Sequence, residues 1–237
     1  MIRSFRNDLY AGYKTEAGMP PELLAQFPIA EQAIEALGLV LWPMVEFEAD
    51  DAIGAAAELY GADARVERVV ICTPDKDMAQ CVRDERIVLW DRRRDIVYDD
   101  TGVRAKWGVA PESVPDRLAL VGDAADGYPG LPGWGDKSAS AVLARYGHFE
   151  AIPANGSTWD VQGLRNPVGL ATTLREHLAD ALLYRDLARL RTIADGVPIP
   201  QTSADDLEWR GADKRTWQAF CDEWGLARLR SRPHRWS

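Results

Sequence analysis

The chain has only three cysteines, Cys72, Cys81 and Cys221. Their spacing makes neither a metal-ligand pattern nor an even-numbered disulfide framework. That excludes a stapled secreted scaffold and a thiolate zinc site, and it fits a reducing cytoplasm. No apolar run is long enough to span a bilayer and no signal-peptide pattern opens the chain, so no membrane partner is expected. Basic charge is also short. Lys and Arg number 28 against 37 Asp and Glu, for a net charge of −9. A protein that holds nucleic acid by bulk electrostatics shows the opposite sign, so any such contact must come from local patches. There is no internal repeat and no low-complexity array. What remains is 237 residues, 46% hydrophobic and 27% charged, enough for one large globular domain or two modest ones. Nine tryptophans is high, but several sit singly in amphipathic stretches, where core or groove packing is the default.

The acids that produce the negative charge are not evenly spread. Glu48, Asp50 and Asp51 fall within four residues, between the apolar run Leu39–Val45 and the small-residue helix pattern that follows. Each alone reads as helix capping, since acids at a helix start contribute a few tenths to ~1 kcal/mol. Three together repel, and that repulsion costs stability unless a cation is present. Asp75 and Asp77 follow the strand-like run Arg65–Cys72, where the bland reading is an N-cap and a surface acid. Open α/β sheets place their sites past the carboxyl ends of strands. A third pair, Asp123 and Asp126, lies in a glycine-rich turn just past the apolar run Leu118–Val121. Three acidic junctions favour convergence on one site for a hard cation with oxygen ligands.

The third junction runs directly into Gly130-Leu-Pro-Gly133-Trp-Gly135-Asp-Lys137-Ser138, a tight turn feeding a helix. Glycine lets a backbone approach a ligand closely, and amides at a helix start attract phosphate. An acidic metal site beside a phosphate cradle points to phosphodiester chemistry.

The stretch from Gly122 to Ala139 reads G-D-A-A-D-G-Y-P-G-L-P-G-W-G-D-K-S-A. It resembles the helix–three-turn–helix signature of the 5′-nucleases, roughly G-D-x-S-D-N-x-P-G-V-x-G-I-G-x-K-T-A. That family includes flap endonucleases, phage 5′-exonucleases and the 5′-nuclease domain of bacterial DNA polymerase I. Ala125 for Ser and Gly127 for Asn are the departures. Phe5, Arg6, Tyr10, Tyr13 and Lys14 match a family segment F-R-x-x-x-Y-x-x-Y-K that leads into an arch over the active site. Thr15-Glu16-Ala17-Gly18 then stands where the family carries a further arginine. Residues 46–54 are similar to Y-E-A-D-D-V-I-G, and Thr73–Gln80 to T-x-D-K-D-x-x-Q. Family members carry two strands, each ending in an aspartate, ahead of the F-R segment. This sequence starts at that segment, which implies a shortened protein or a start further upstream.

The resemblance implies an α/β fold with a PIN-like parallel sheet and flanking helices, followed by an α-helical helix–three-turn–helix DNA-binding domain. The expected division is a catalytic domain over 1–109, the DNA-binding domain over 110–202, and a C-terminal helix with a basic tail over 203–237. The implied activity is structure-specific 5′-3′ exonuclease and flap endonuclease action on DNA by two-metal hydrolysis, in replication and repair. Two Mg²⁺ ions, with Mn²⁺ as a substitute, would be held by Glu48, Asp50, Asp51, Asp75, Asp77, Asp123 and Asp126. Lys14 is the candidate contact to the scissile phosphate, and Tyr13 would stack on an unpaired base. Arg6, Tyr13, Lys14, Gly130, Gly133, Gly135, Lys137 and Ser138 are the DNA-contact candidates, with K⁺ as a secondary ion at the hairpin. The implied partners are DNA as a 5′ flap, nicked or gapped duplex and a separate DNA polymerase, with the chain itself a monomer. The alternatives are a catalytically impaired DNA-structure-binding module of the same family and an RNA-directed nuclease on a related fold.

Elsewhere, the pattern predicts a helix from Pro20 to about Leu37, a strand over 39–45, a hairpin of strands around 87–90 and 96–98, and a helix over 101–107. The run at 118–121 is expected to pack back on the sheet. A helix follows over 139–146, then a loop at 151–169, a helix pair over 170–191 and a short amphipathic helix over 213–224. His148 and His177 read as structural or surface histidines. Asp91–Asp95 reads as a solvated turn, and the basic tail 227–235 as a terminus that frays or touches DNA.

Overall fold

The computed structural model describes residues 3–15 and 20–237. The sequence reading of the arch lining at Glu16-Ala17-Gly18 therefore lies outside the described residues. The helices in chain order are α1 (Arg6–Leu9), α2 (Pro21–Leu24), α3 (Phe27–Ala36), α4 (Ala49–Gly61) and α5 (Asp100–Trp107). Then come α6 (Val114–Val121), α7 (Asp136–Tyr146), α8 (Pro167–Glu176), α9 (Leu178–Ala188) and α10 (Lys214–Glu223). The strands are β1 (Val69–Ile71), β2 (Ile87–Asp91) and β3 (Ile96–Tyr98). The chain divides into two compact units, whose described residues are 3–15 with 45–198, and 20–44 with 199–237.

In the larger unit the sheet is mixed. β1 pairs with β2 in parallel, Val70 opposite Val88, and β2 pairs with β3 antiparallel, Trp90 opposite Val97. The β2–β3 turn holds itself: Asp91 accepts from the amides of Arg93 and Arg94 and pairs with the Arg94 guanidinium at 2.7 Å. Val88 and Leu89 are buried in β2, whereas Val70 in β1 is 45% exposed, so the run at 65–72 is less buried than its composition predicts. Asp99 caps α5 through the Gly102 amide, and Gly108, at φ +72°, ends it.

One expectation changes here. The apolar run at 118–121 is the end of α6 and packs on α9 and α7, not on the sheet. Its alternation of Leu118, Ala119 and Leu120 is buried on all sides, which is the pattern of a helix inside a helical layer. After β1 the chain makes a 3₁₀ turn over Asp77–Cys81 that buries Met78 and Ala79. The helix pair α8–α9 forms as the leucine stripe predicts, with Leu174, Ala181 and Leu187 buried.

In the smaller unit α3 packs on α10 through Ala36, Trp217, Phe220 and Cys221. Trp217 stacks on Phe220 at 5.7 Å and donates its Nε1–H to the Leu229 carbonyl at 2.9 Å. The stretch 39–45 is irregular, not a strand: Pro43 interrupts it, and no ladder forms across it. The basic tail does not fray. The amide of Ala212 donates to the Arg235 carbonyl and that of Ser237 to the Ala212 carbonyl, both at 3.0 Å. Among the described residues all three cysteines are free, and no helix is long and apolar enough to cross a membrane.

Candidate active site and its acidic cluster

The site forms where four segments of the larger unit meet: the turn at 13–14, the start of α4, the turn after β1, and the loop after α6. Each has a local reason to stop where it does. Glu48 precedes α4 in extended conformation, and Asp51 turns back to accept from the Glu48 amide at 2.9 Å. Asp75 accepts from the Asp77 amide at 2.9 Å and tightens the turn after β1. Asp123 accepts from the amides of Ala125 and Asp126, and its own amide donates to the Tyr128 carbonyl, closing the loop. Gly127, at φ +84°, lies so close to the 12–14 turn that a Cβ there would stand 2.2 Å from the Gly12 carbonyl oxygen. Glycine is required at this position, and the backbone bond from Lys14 N to the Asp126 carbonyl joins the same two turns at 3.0 Å.

These turns bring Asp77, Asp123 and Asp126 together, with one carboxylate oxygen of each within 4.8 Å of the others. Asp77 is mostly buried, and its Oδ1 accepts no well-formed hydrogen bond; the nearest cation, Lys76 Nζ, is 3.4 Å away. Burial, and then the charges of Asp75, Asp126 and Asp123 against the opposing Lys76, push the Asp77 carboxyl up to about 7. Burial and Asp75 likewise raise Asp50 to about 6. Asp126 is raised by burial and by its acidic neighbours. Asp123 goes the other way, because its bond and charge contact with Lys76 outweigh burial. A buried oxygen that accepts no well-formed hydrogen bond, among carboxyls that resist ionising, is the environment a hard divalent cation relieves.

Glu48 and Lys14 extend the cluster. Lys14 Nζ lies 2.6 Å from Glu48 Oε2 and 3.5 Å from Asp126 Oδ1, and is 38% exposed. Lys14 sits at φ +45°, a conformation it holds because its amide is tied to the Asp126 carbonyl. Ser4 donates to Glu48 Oε1 at 2.8 Å and Tyr13 to Oε2 at 3.3 Å. Thus Lys14, Glu48, Asp50, Asp75, Asp77, Asp123 and Asp126 form one connected electrostatic group.

Four residues are placed otherwise than the sequence reading expects. Asp51 is fully buried and is not one of the three clustered carboxylates. Its two oxygens take both Arg6 guanidinium nitrogens at 2.7 Å, along with the amides of Glu48 and Arg191, so it has no lone pair to offer a metal. Arg6, 2% exposed, is spent on that pair and on the Leu187 and Arg189 carbonyls, so it is an internal clamp and not a DNA contact. Tyr13 is 2% exposed within the core and cannot stack on a base. Gly130 is buried against Val121 and Gly122; its missing side chain serves chain packing. Gly133 and Gly135, by contrast, face open space, and Lys137 is exposed. Ser138 half-caps α7, exchanging hydrogen bonds with the Gly135 amide and carbonyl.

Sequence reasoning missed Lys76, Ser4 and Tyr128. Lys76 lies between the two aspartates of its own motif, and that spacing was the available signal. Tyr128 is buried with an unpartnered hydroxyl and stacks on Tyr184; nothing in its local sequence marks it. His148 is structural as expected, bonded to buried Asp116 at 2.9 Å, and His177 is a surface residue beside Asp180.

Two family models match adjoining parts of the chain: a 5′-3′ exonuclease N-terminal resolvase-like domain over residues 2–108 and a 5′-3′ exonuclease C-terminal SAM fold over 109–215. A 5′-3′ exonuclease of Buchnera aphidicola is 30% identical over 92% of this chain and 74% of its own length. The chain belongs to the 5′-3′ exonuclease family. Its two matched regions are the resolvase-like and SAM-fold domains of that family. DNA polymerase I of Mycobacterium leprae is 34% identical over 97% of the chain but 24% of that protein, and that of Pseudomonas aeruginosa is 39% identical over 80% and 21%. The chain thus spans about a quarter of the length of those relatives. Among solved structures, the T5 D15 protein co-crystallised with metal ions superposes with a TM-score of 0.64 at 18% identity, over 93% of this chain and 80% of that one. The catalytic core of Rad2 in complex with DNA superposes at 0.57 and 14% identity, over 93% and 71%. Both share the fold.

Proposed function

We propose that the chain is a structure-specific 5′-3′ exonuclease and flap endonuclease that hydrolyses DNA phosphodiesters during replication and repair. The observation that carries this is the Asp77–Asp123–Asp126 group, with its unbonded buried oxygen, beside Lys14 and Glu48. Asp77, Asp123 and Asp126, joined by Glu48, Asp50 and Asp75, would hold two Mg²⁺ ions, with Mn²⁺ as a substitute. Bound there, the ions would lend Lewis acidity to the attacking water and to the leaving oxygen. Lys14, partly exposed at the rim, would contact the scissile phosphate once the metal satisfies Glu48. Lys76 would hold Asp123 in place before metal binds. Gly133, Gly135 and Lys137 would meet duplex phosphates through backbone and ammonium, with K⁺ a secondary ion at the same turn. On this reading residues 1–109, joined by Asp123 and Asp126, do the chemistry and the rest of 110–202 grips duplex DNA. A DNA polymerase is the partner that such an activity serves.

The test is Mg²⁺-dependent cleavage of a 5′-flap duplex by this chain and by the double variant Asp123→Asn, Asp126→Asn. Loss of cleavage in the variant, with flap binding retained, supports the assignment; equal rates in both remove it. The second reading, a DNA-structure-binding module, is favoured by the way Lys76 and Lys14 already neutralise part of the cluster. It predicts flap binding with steep salt dependence and no turnover at any Mg²⁺ concentration.

A further inference from the structure

A groove of ≈ 1080 Å³ opens beside the hairpin, and only one of its walls belongs to the glycine-rich motif. That wall is the stretch 132–138. The rest of the lining is mainly the turn at 162–166 and the first two turns of α8. The sequence reading treats 151–169 as a plain connecting loop. Its placement says more. Gly163, at φ +77°, has nothing within 4 Å of where a Cβ would stand, and the same holds for Gly133 and Gly135 in the stretch 132–138. Both parts of the lining therefore present bare backbone to whatever enters.

The charges of the lining are equally specific. Its ionisable residues are Asp136, Lys137 and Arg165. Asp136 is tied to Arg117 outside the groove. Lys137 and Arg165 are exposed, line the groove from separate segments of the chain, and neither forms an ion pair among the described residues. In a chain of net charge −9, two cations without an ion pair among the described residues, lining one open groove, make it a local attractor for a ligand of negative charge. The helix start is not what carries this, since the Asn166 side chain already caps α8 through the Gly169 amide.

We propose that this groove clasps one phosphodiester strand of the DNA duplex from both sides, with Arg165 as a phosphate contact opposite Lys137. The proposal rests on the reading that the hairpin meets duplex DNA, and it adds a wall and a residue to that site. Arg165 supplies a planar fork for two phosphate oxygens, where Lys137 supplies a point charge. Clasping from two sides fixes the strand's direction relative to the acidic cluster, which a single row of contacts does not.

The test is fluorescence anisotropy of a labelled 5′-flap duplex with the full chain over a range of NaCl, with Ca²⁺ present to fill the acidic cluster. Wild type is compared with Lys137→Ala, Arg165→Ala, Arg165→Glu and Arg165→Lys. Arg165→Ala should weaken binding roughly threefold and lower the slope of log Kd against log salt by about one contact. Arg165→Glu should weaken it further, and Arg165→Lys should recover most of the affinity. An unchanged Kd and slope for both Arg165→Ala and Arg165→Glu, with Lys137→Ala weakened, overturns the clasp and leaves the hairpin reading standing. If Lys137→Ala is also unchanged, the hairpin reading fails with it.

Discussion

Replacing Asp77 by Asn should stabilise the metal-free protein while weakening its response to metal. Two routes give the size of the effect. The ordinary value for the carboxyl is 3.8 and burial among acids raises it to about 7, a difference worth about 4 kcal/mol at 1.36 kcal/mol per pH unit. Independently, two charges 4.8 Å apart repel by about 3 kcal/mol at an effective dielectric of ~20. Lys76 at 3.4 Å already offsets part of this, so a net gain of about 2 kcal/mol is expected at pH 8, or roughly 4–8 °C in Tm for a chain of this size. The sign with pH follows from proton binding. Between pH ~4 and ~7 the folded protein holds a proton on Asp77 that the unfolded chain releases, so stability falls as pH rises through that window. The Asp77→Asn variant should lack most of that decline. The assay is thermal unfolding from pH 5 to 8, with EDTA and with saturating Mg²⁺. Wild type should gain more from Mg²⁺ than the variant does. A wild-type Tm that is flat with pH in EDTA, together with a variant no more stable at pH 8, would refute the claim that these carboxyls are held together against their repulsion.

Three further outcomes follow from the same geometry. Arg6→Met should cost about 3–5 kcal/mol by urea denaturation, because Asp51 is left charged and buried without its partner. Gly127→Ala should cost about 1–3 kcal/mol and slow any cleavage, since φ +84° and the Gly12 carbonyl both exclude a Cβ; unchanged stability would show that the two turns do not meet. Mg²⁺ affinity by calorimetry should rise from pH 6 to 8 with proton release, because Asp50, near 6, and Asp77, near 7, must ionise to bind metal. An affinity independent of pH over that interval would contradict it.

The parts of the fold that rest on local periodicity were readable in the chain. The β2–β3 hairpin, α5, α7 and the α8–α9 pair all lie within a few residues of where alternation, capping and leucine spacing put them. What was not readable depends on partners distant in sequence. The run 118–121 carries the composition of either a strand or a helix, and only contact with α9 decides it. At the site, the three acidic junctions converge as their spacing implies, but the division of labour within Glu48–Asp51 is set by a residue more than forty positions away. Arg6 arrives beneath α4 and consumes Asp51, so two acids of identical type, one residue apart, have opposite fates. Tyr13 fails as a surface aromatic for a similar reason: its ring fills the core and only its hydroxyl reaches Glu48.

The net charge that argues against nucleic acid in the sequence is resolved by where the larger unit puts its ions. Its buried acids fall into two groups with different counterions. Asp51, Asp91 and Asp116 are held by Arg6, Arg94 and Arg185, so their charge is cancelled within bonding distance and contributes little field outside. Among the described residues Asp77, Asp123 and Asp126 share only Lys76 and Lys14, too few cations for the carboxylates gathered there once Glu48, Asp50 and Asp75 are added. The uncancelled negative charge is thereby confined to one place, where divalent ions would neutralise it. Lys137 and Arg165 have no ion pair among the described residues and lie in another place, lining one groove with bare glycine backbone. A polyanion approaching this unit would be repelled from the acidic cluster until metal arrives and attracted to the groove at all times. If the proposed function holds, this charge distribution favours engagement of duplex before metal-dependent contact at the cluster. It requires that adding Mg²⁺ steepen flap binding more in wild type than in Asp77→Asn, while leaving the contribution of Arg165 unchanged.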